Sequence, residues 1–308
     1  MAKNKKTFWI FLALLAALIA APHATIIKLN LANTDPMFYN IVRYSMVTLI
    51  CGVLLLGKFK KLSSEGLRLA VISGIAFSLA VTFYVLAIEA SQASYVATLA
   101  LINPIVFIAV SSATLRERIK HKVVAGMTLA MIGALVIVAG PIIFSQGTSV
   151  GFYPEATFYM LIQSISFAVA LVWMRRANEA KLPIIAVVGV QGIVVLVVSF
   201  GLFLAFGDWD KAEFTPTLIG SAAYSAIGIA LIVRSLNTLV YEKLGSAIVG
   251  SMTYLEVFLA ILIPILILGE KLSLIMIFGG VLILSGIYII EYRKSHRRHS
   301  LFHYHRHH

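Results

Sequence analysis

Glu256, Arg43 and Arg234 are ionisable residues set inside long apolar runs, where polar groups are scarce and therefore informative. A charge held at mid-bilayer costs roughly 2.5 to 3.5 kcal/mol on insertion scales, so such side chains face a cavity or a partner. Glu256 stands about eleven residues into its run and each arginine about seven from a run end, which at about 1.5 Å per residue puts the carboxylate near the midplane and the guanidiniums nearer the interfaces. Glu256 either meets a substrate or coupling proton, or holds helices together as a buried carboxylate. The arginines either line a cavity or extend toward headgroups. Asn103, next to Pro104, is either a ligand or the partner of carbonyls freed by the proline. His23 follows Pro22, and an imidazole there can carry a coupling proton or substrate contact, or simply bond two helices. Gln163 and Gln191 are open to the same two readings. Tyr95, Leu99 and Asn103 share a face at four-residue spacing, so the Tyr95 hydroxyl is expected in the cavity with Asn103. Tyr254 and Trp173 are expected as aromatic walls.

Other chemistry is excluded. The single cysteine, Cys51, lies in an apolar run, and neither CxxC nor Cys/His zinc spacing occurs. HExxH, GxSxG and the GxxxxGK[ST] phosphate loop are also absent. No catalytic residue, metal or cofactor is expected, the chain does not read as an enzyme, and transport would run without ATP.

The elements that must position these residues are membrane spans. The 308-residue chain is 60% hydrophobic and 12% charged, too little polar surface for a water-soluble globule of this size. Apolar runs at 8–29, 37–57, 67–90, 92–115, 122–144, 154–175, 184–206, 216–241, 245–268 and 271–291 are each long enough to cross a hydrocarbon core of about 30 Å. With the N-terminus cytoplasmic, twenty lysines and arginines fall on the inner side, while the outer loops hold Lys211 and Lys271, with Lys28 at an outer helix end. That is the asymmetry of the positive-inside rule. The net charge of +12 is dispersed in short loop clusters and forms no basic stripe, so no nucleic-acid partner is expected. The tail 292–308 is basic and His-rich, and reads as a solvated cytoplasmic segment.

An offset of 153 residues pairs Glu117 with Glu270, Gly126 with Gly279, Gly133 with Gly286, Glu89 with Glu242 and Lys28 with Lys181. Five spans per half is an odd number, so the second half enters from the opposite side. The expected fold is all-α integral membrane, with a cytoplasmic segment 1–7, a first five-helix repeat over 8–144, an inverted second repeat over 154–291, and both termini inside. The same register pairs Asn103 with Glu256 and Tyr84 with Asn237, which places the substrate site around these four. Glu117 and Glu270 are expected to cap helix N-termini. The four paired glycines permit close packing, within one protomer or in a homodimer.

Three stretches carry a resemblance to a known family: VRYSMV around Arg43, INPIVFIAVSSATLRERI from Ile102, and LNTLVYEKLGSAIVGSMTYLEVFLAILIPILILGEKL from Leu236. Here the chain resembles the EamA-type members of the drug/metabolite transporter superfamily. The resemblance implies a multi-pass carrier of the inner or plasma membrane for small metabolites such as amino acids. Where the family often has proline after the second-half glutamate this chain has Val257, so the helix break at Pro104 is expected to lack a counterpart. Carriage of a drug, nucleobase or vitamin, and a non-transporting scaffold or sensor, are the alternatives.

Overall fold

The computed structural model describes residues 3–57, 62–115, 121–144, 153–236, 240, 246–271 and 273–303. Among them the regular structure is helical, without a strand. The first half runs α1 (Lys3–Ala20), α2 (His23–Leu31), α3 (Pro36–Leu54), α4 (Ser64–Ala90), α5 (Ala93–Ala100), α6 (Asn103–Leu115) and α7 (His121–Phe144). The second half runs α8 (Pro154–Glu179), α9 (Ile184–Phe206), a turn at Trp209–Lys211, α10 (Pro216–Ala223) continuing as a π-helical stretch (Tyr224–Val233), α11 (Ser246–Leu268) and α12 (Leu274–His303). Seven of these helices or helix pairs are long and apolar enough to cross a membrane, and three shorter apolar segments, Val124–Val138, Phe258–Leu268 and Leu274–Ile289, lie where the other predicted spans fall. Phe11, Leu49, Val197, Phe200 and Leu266 remain more than half exposed on the bundle's outside, as a lipid-facing surface requires.

Local chemistry sets the helix ends. Asp35 caps α3 by accepting from the backbone amides of Met37 (2.8 Å) and Phe38 (2.9 Å), with Pro36 at the first helical position, where its missing N–H is harmless. Ser63 and Thr215 cap α4 and α10 in the same way. Pro22 separates α1 from α2, and a turn at Leu101–Ile102 separates α5 from α6 just before Asn103 and Pro104. Span four is therefore two helices, where the apolar pattern over 92–115 gave one. Glu256 lies within α11, which is continuous and runs on through Pro264. The break is confined to the first half.

Packing follows the repeat. α4 lies along α8 and α9, α3 along α9, α6 against α8, α11 against α1 and α5, and α7 along α12. Exchanging the first five spans with the last five maps this neighbour set onto itself: α4 against α8 becomes the π stretch against α1, α4 against α9 becomes α10 against α3, and α6 against α8 becomes α11 against α1. At the crossing of α7 and α12, Gly133 faces Gly279 and Gly126 faces Gly286, so the helices run antiparallel. A Cβ on Gly133 would lie 2.6 Å from the Gly279 carbonyl oxygen, an approach that only glycine allows. These glycines serve contact within one chain, which removes them as the surface of a homodimer.

Call the end where α1 begins and α8 finishes the basic end. The opposite end is closed by charged side chains bonded to the backbone of other elements. Glu270 accepts from the amides of Ala93 (2.7 Å) and Ser94 (2.8 Å) and from the Ser94 hydroxyl (2.6 Å), capping α5. Capping was expected of Glu270; the helix it caps belongs to the other half. Glu117 lies outside the described residues. Lys28 donates to the carbonyls of Ile88 (2.8 Å) and Glu89 (3.0 Å), and Asp35 also accepts from the Asp208 amide (3.1 Å). Phe38 packs against Phe203 at a tilt and against Phe214 edge to face.

Candidate functional site

A cavity of about 450 Å³ lies between the two halves, walled by α2 to α6, α8, α9 and the π stretch with its continuation to Arg234. Its deepest groups, His23, Tyr84, Ala100 and Asn103, lie near mid-span. Val188, Met174 and Arg234 carry the wall to within about two turns of the basic end. Polar groups from both halves converge on it.

Helix breaks expose two of these groups. His23 begins α2 just after Pro22, with its ring stacked on Tyr84 (centroids 6.2 Å apart, planes 19° apart) and near Tyr224 (6.4 Å). No described residue bonds its Nε2. Tyr224 donates its hydroxyl to the Ile19 carbonyl, which ties the π stretch to the end of α1. Asn103 begins α6 at the turn before Pro104, and its Oδ1 accepts from Ser164 Oγ (2.7 Å). Fixing the oxygen leaves the amide nitrogen available to the cavity.

A second set lies toward the basic end. Arg234 donates to Gln191 Oε1 (3.1 Å), Gln191 donates to Ser73 Oγ (2.8 Å), and Ser73 donates to the Ala170 carbonyl (2.7 Å). The relay joins four elements through neutral acceptors. The Arg234 guanidinium carbon lies 5.3 Å from the Phe77 ring centroid and that of Arg43 lies 5.0 Å from that of Tyr44, with Tyr44 and Phe77 edge to face at 6.3 Å. Both guanidiniums thus rest on one aromatic cluster, which Phe167 extends (6.4 Å from Phe77). π-helical stretches are a local departure often found at functional sites, and this one leads directly to Arg234.

Of the residues singled out in the sequence, Arg43, His23, Tyr84 and Asn103 meet on one wall, joined by Arg234, Gln163 and Gln191. Both arginines line the cavity. Tyr95 and Trp173 are off the wall. Tyr95 is fully buried between α5 and α8, its hydroxyl on Thr157 Oγ1 (2.6 Å) and its ring against Tyr153, because the turn at Leu101–Ile102 interrupts the helical register shared with Asn103. Trp173 lies under the Arg176 guanidinium at 4.7 Å, near the basic end of α8. Glu256 is half-buried on α11; it is not among the described lining residues, but it stands close enough to Tyr84 and Tyr224 to act on both electrostatically. Asn237 and the side chain of Tyr254 lie outside the described residues. Tyr44, Phe77 and Phe167 complete the wall, and nothing in their types separates them from ordinary packing residues.

The family model described as the EamA-like transporter family matches the chain twice, over residues 7–139 and 155–292. The chain belongs to the EamA-like transporter family. It is thus a multi-pass membrane protein of a family of transporters, with two copies of the family unit in tandem. No curated protein matches this EamA-like chain in sequence. A crystal structure of a protein 16% identical superposes with a TM-score of 0.60 over 92% of this chain and 96% of that one, a likeness of fold. The family unit explains why the neighbour set survives exchange of the halves.

Proposed function

We propose that the protein is a secondary carrier, moving small polar metabolites of the amino-acid and related carboxylate class by alternating access. The observation that carries this reading is the cavity: built from both halves, polar at mid-span, extending toward the basic end and sealed at the other. The antiparallel glycine crossing supports taking 8–144 and 154–291 as inverted repeats, since a two-fold axis in the membrane plane makes partner helices cross in opposite directions. Exchange of conformations between the halves would then open the far end and close the basic one. The distribution of lysine and arginine favours a basic end, and both termini, on the cytoplasmic side of the cell membrane. Of the two groups considered for proton coupling, His23 is on the wall, and Glu256 is close enough to Tyr84 and Tyr224 to act on them electrostatically.

The test is flux of labelled amino acids and their 2-oxo acids into proteoliposomes of the purified chain. Asn103→Ala and His23→Ala should each abolish flux while leaving folded protein. Flux unchanged in both variants would overturn the site, and a wild-type protein that binds solutes but carries none would be a scaffold or sensor.

A further inference from the structure

Resting on the carrier reading, we infer that α5 is the gate of the far end: it swings about the turn at Leu101–Ile102, and Glu270 is the latch that holds it closed. α5 is the half of span four between the far end and the cavity. Its last residue, Ala100, and the first residue of the next helix, Asn103, line the cavity, while its first two residues carry the bonds that close the far end. Those bonds come from the other half of the chain. Glu270, just past the end of α11, accepts from the amides of Ala93 and Ser94 and from the Ser94 hydroxyl at 2.6 to 2.8 Å. The segments on either side of α5 are anchored separately. Lys28 of the first half bonds to the Ile88 and Glu89 carbonyls in the last turn of α4, and Asn103 at the start of α6 bonds to Ser164 on α8. α5 thus lies between two held points, with its own start tied to Glu270.

The break that frees α5 is not a necessity of the repeat. In the second half the equivalent position is filled by α11, which runs unbroken through Glu256 and Val257, the register counterparts of Asn103 and Pro104. The first-half turn keeps its backbone bonded: the Leu101 amide donates to the Thr98 carbonyl (3.3 Å) and the Ile102 amide to that of Leu99 (3.0 Å), each three residues back. Tight three-residue bonds of this kind are frequent at helix ends and at hinges, and two residues are enough to absorb a change of direction. An eight-residue helix is about 12 Å long, so turning it by roughly 20° about one end moves the other by about 4 Å. That displacement parts Glu270 from all three of its donors. Tyr95, in the first turn of α5 with its hydroxyl on Thr157, is carried with the moving end.

The experiment follows cysteine labelling of the full-length protein in lipid nanodiscs, with both faces open to a membrane-impermeant maleimide, in a Cys51→Ser background. Ala97→Cys, on α5 and 8% exposed, reports the swing, and Ala168→Cys, fully buried on α8, reports general loosening. Glu270→Ala should raise the labelling rate of Ala97→Cys about 10- to 100-fold, the factor expected for losing hydrogen bonds to a charged group, and leave that of Ala168→Cys unchanged. Glu270→Gln, which keeps one acceptor oxygen, should fall between. Pro104→Val, which installs the second-half residue, should suppress the rise. An Ala97→Cys rate unmoved by Glu270→Ala, or both reporters accelerated alike, would overturn the latch, and a rise undiminished in folded Pro104→Val would overturn the swing about this turn. Should Pro104→Val fail to fold, the two Glu270 variants decide alone. Failure of the latch in a protein that carries labelled amino or 2-oxo acids into proteoliposomes leaves the carrier reading intact; a latched swing in a protein without flux does the reverse.

Discussion

Placing a methyl group at the crossing of α7 and α12 tests whether the halves meet through backbone contact. The Cβ of Gly133→Ala would sit 2.6 Å from the Gly279 carbonyl oxygen and 2.8 Å from the Ile283 amide nitrogen. Both are backbone atoms, which cannot swing aside. Ordinary van der Waals contact begins near 3.4 Å, so the helices must part by roughly 0.6 to 0.8 Å along that direction. Overpacking of this kind typically costs about 1 to 3 kcal/mol. Gly201→Ala is the control: nothing lies within 4 Å of its added methyl, and alanine in a helix gains about 0.5 to 1 kcal/mol over glycine. Unfolding free energies in mixed detergent micelles, titrated with a denaturing detergent, should therefore move in opposite directions for the two variants. Gly286→Ala should behave like Gly133→Ala, since its methyl would meet the Gly126 carbonyl and Ala130. A Gly133→Ala protein as stable as the wild type would refute the close crossing and, with it, the principal support for a two-fold axis at this point.

At the far end, Glu270→Ala deprives the amides of Ala93 and Ser94 of their acceptor, and should cost about 1 to 2 kcal/mol of stability in the same assay; no loss would show that water replaces the cap. In a Cys51→Ser background, Lys181→Cys should react with a membrane-impermeant maleimide only from the cytoplasmic side and Lys211→Cys only from the outer side. Labelling of both from one side would overturn the assigned orientation.

The spans were legible in the sequence because lipid imposes a length and an apolarity that few other environments do. The repeat was legible because glycines forced by close approach and glutamates at helix ends keep their spacing. Arg43, His23, Tyr84 and Asn103 could be singled out because a polar group in an apolar run is costly enough to require a reason. What failed was direction. The four-residue spacing of Tyr95 and Asn103 gives a shared face only along an unbroken helix, and two residues of turn at Leu101–Ile102 send the Tyr95 hydroxyl to Thr157 instead. The register also pairs Glu256 with Asn103, in different local settings: Asn103 begins a helix next to Pro104, while Glu256 sits inside continuous α11. The aromatic cluster left no signal, since Phe77 and Phe167 look like any other apolar residue until the helices around them are placed.

The polar groups along the bundle axis also constrain the energetics of the proposed cycle. At the far end Glu270, Lys28 and Asp35 bond to backbone groups of other elements, so their contacts exist only while that end is closed. Hydrogen bonds to charged groups contribute about 1.5 to 3 kcal/mol each, and opening the far end would forfeit several together. A carrier needs its two end states within a few kcal/mol of each other, so comparable contacts must form at the basic end. The repeat register supplies a candidate of the right type: Lys181, the counterpart of Lys28, lies at the basic end, and the sequence counterpart of Glu270 is Glu117. On the carrier reading, duplication therefore provides a second closure of similar strength as well as a second set of helices. A substrate need then contribute only the difference between the two closures to shift the population between them.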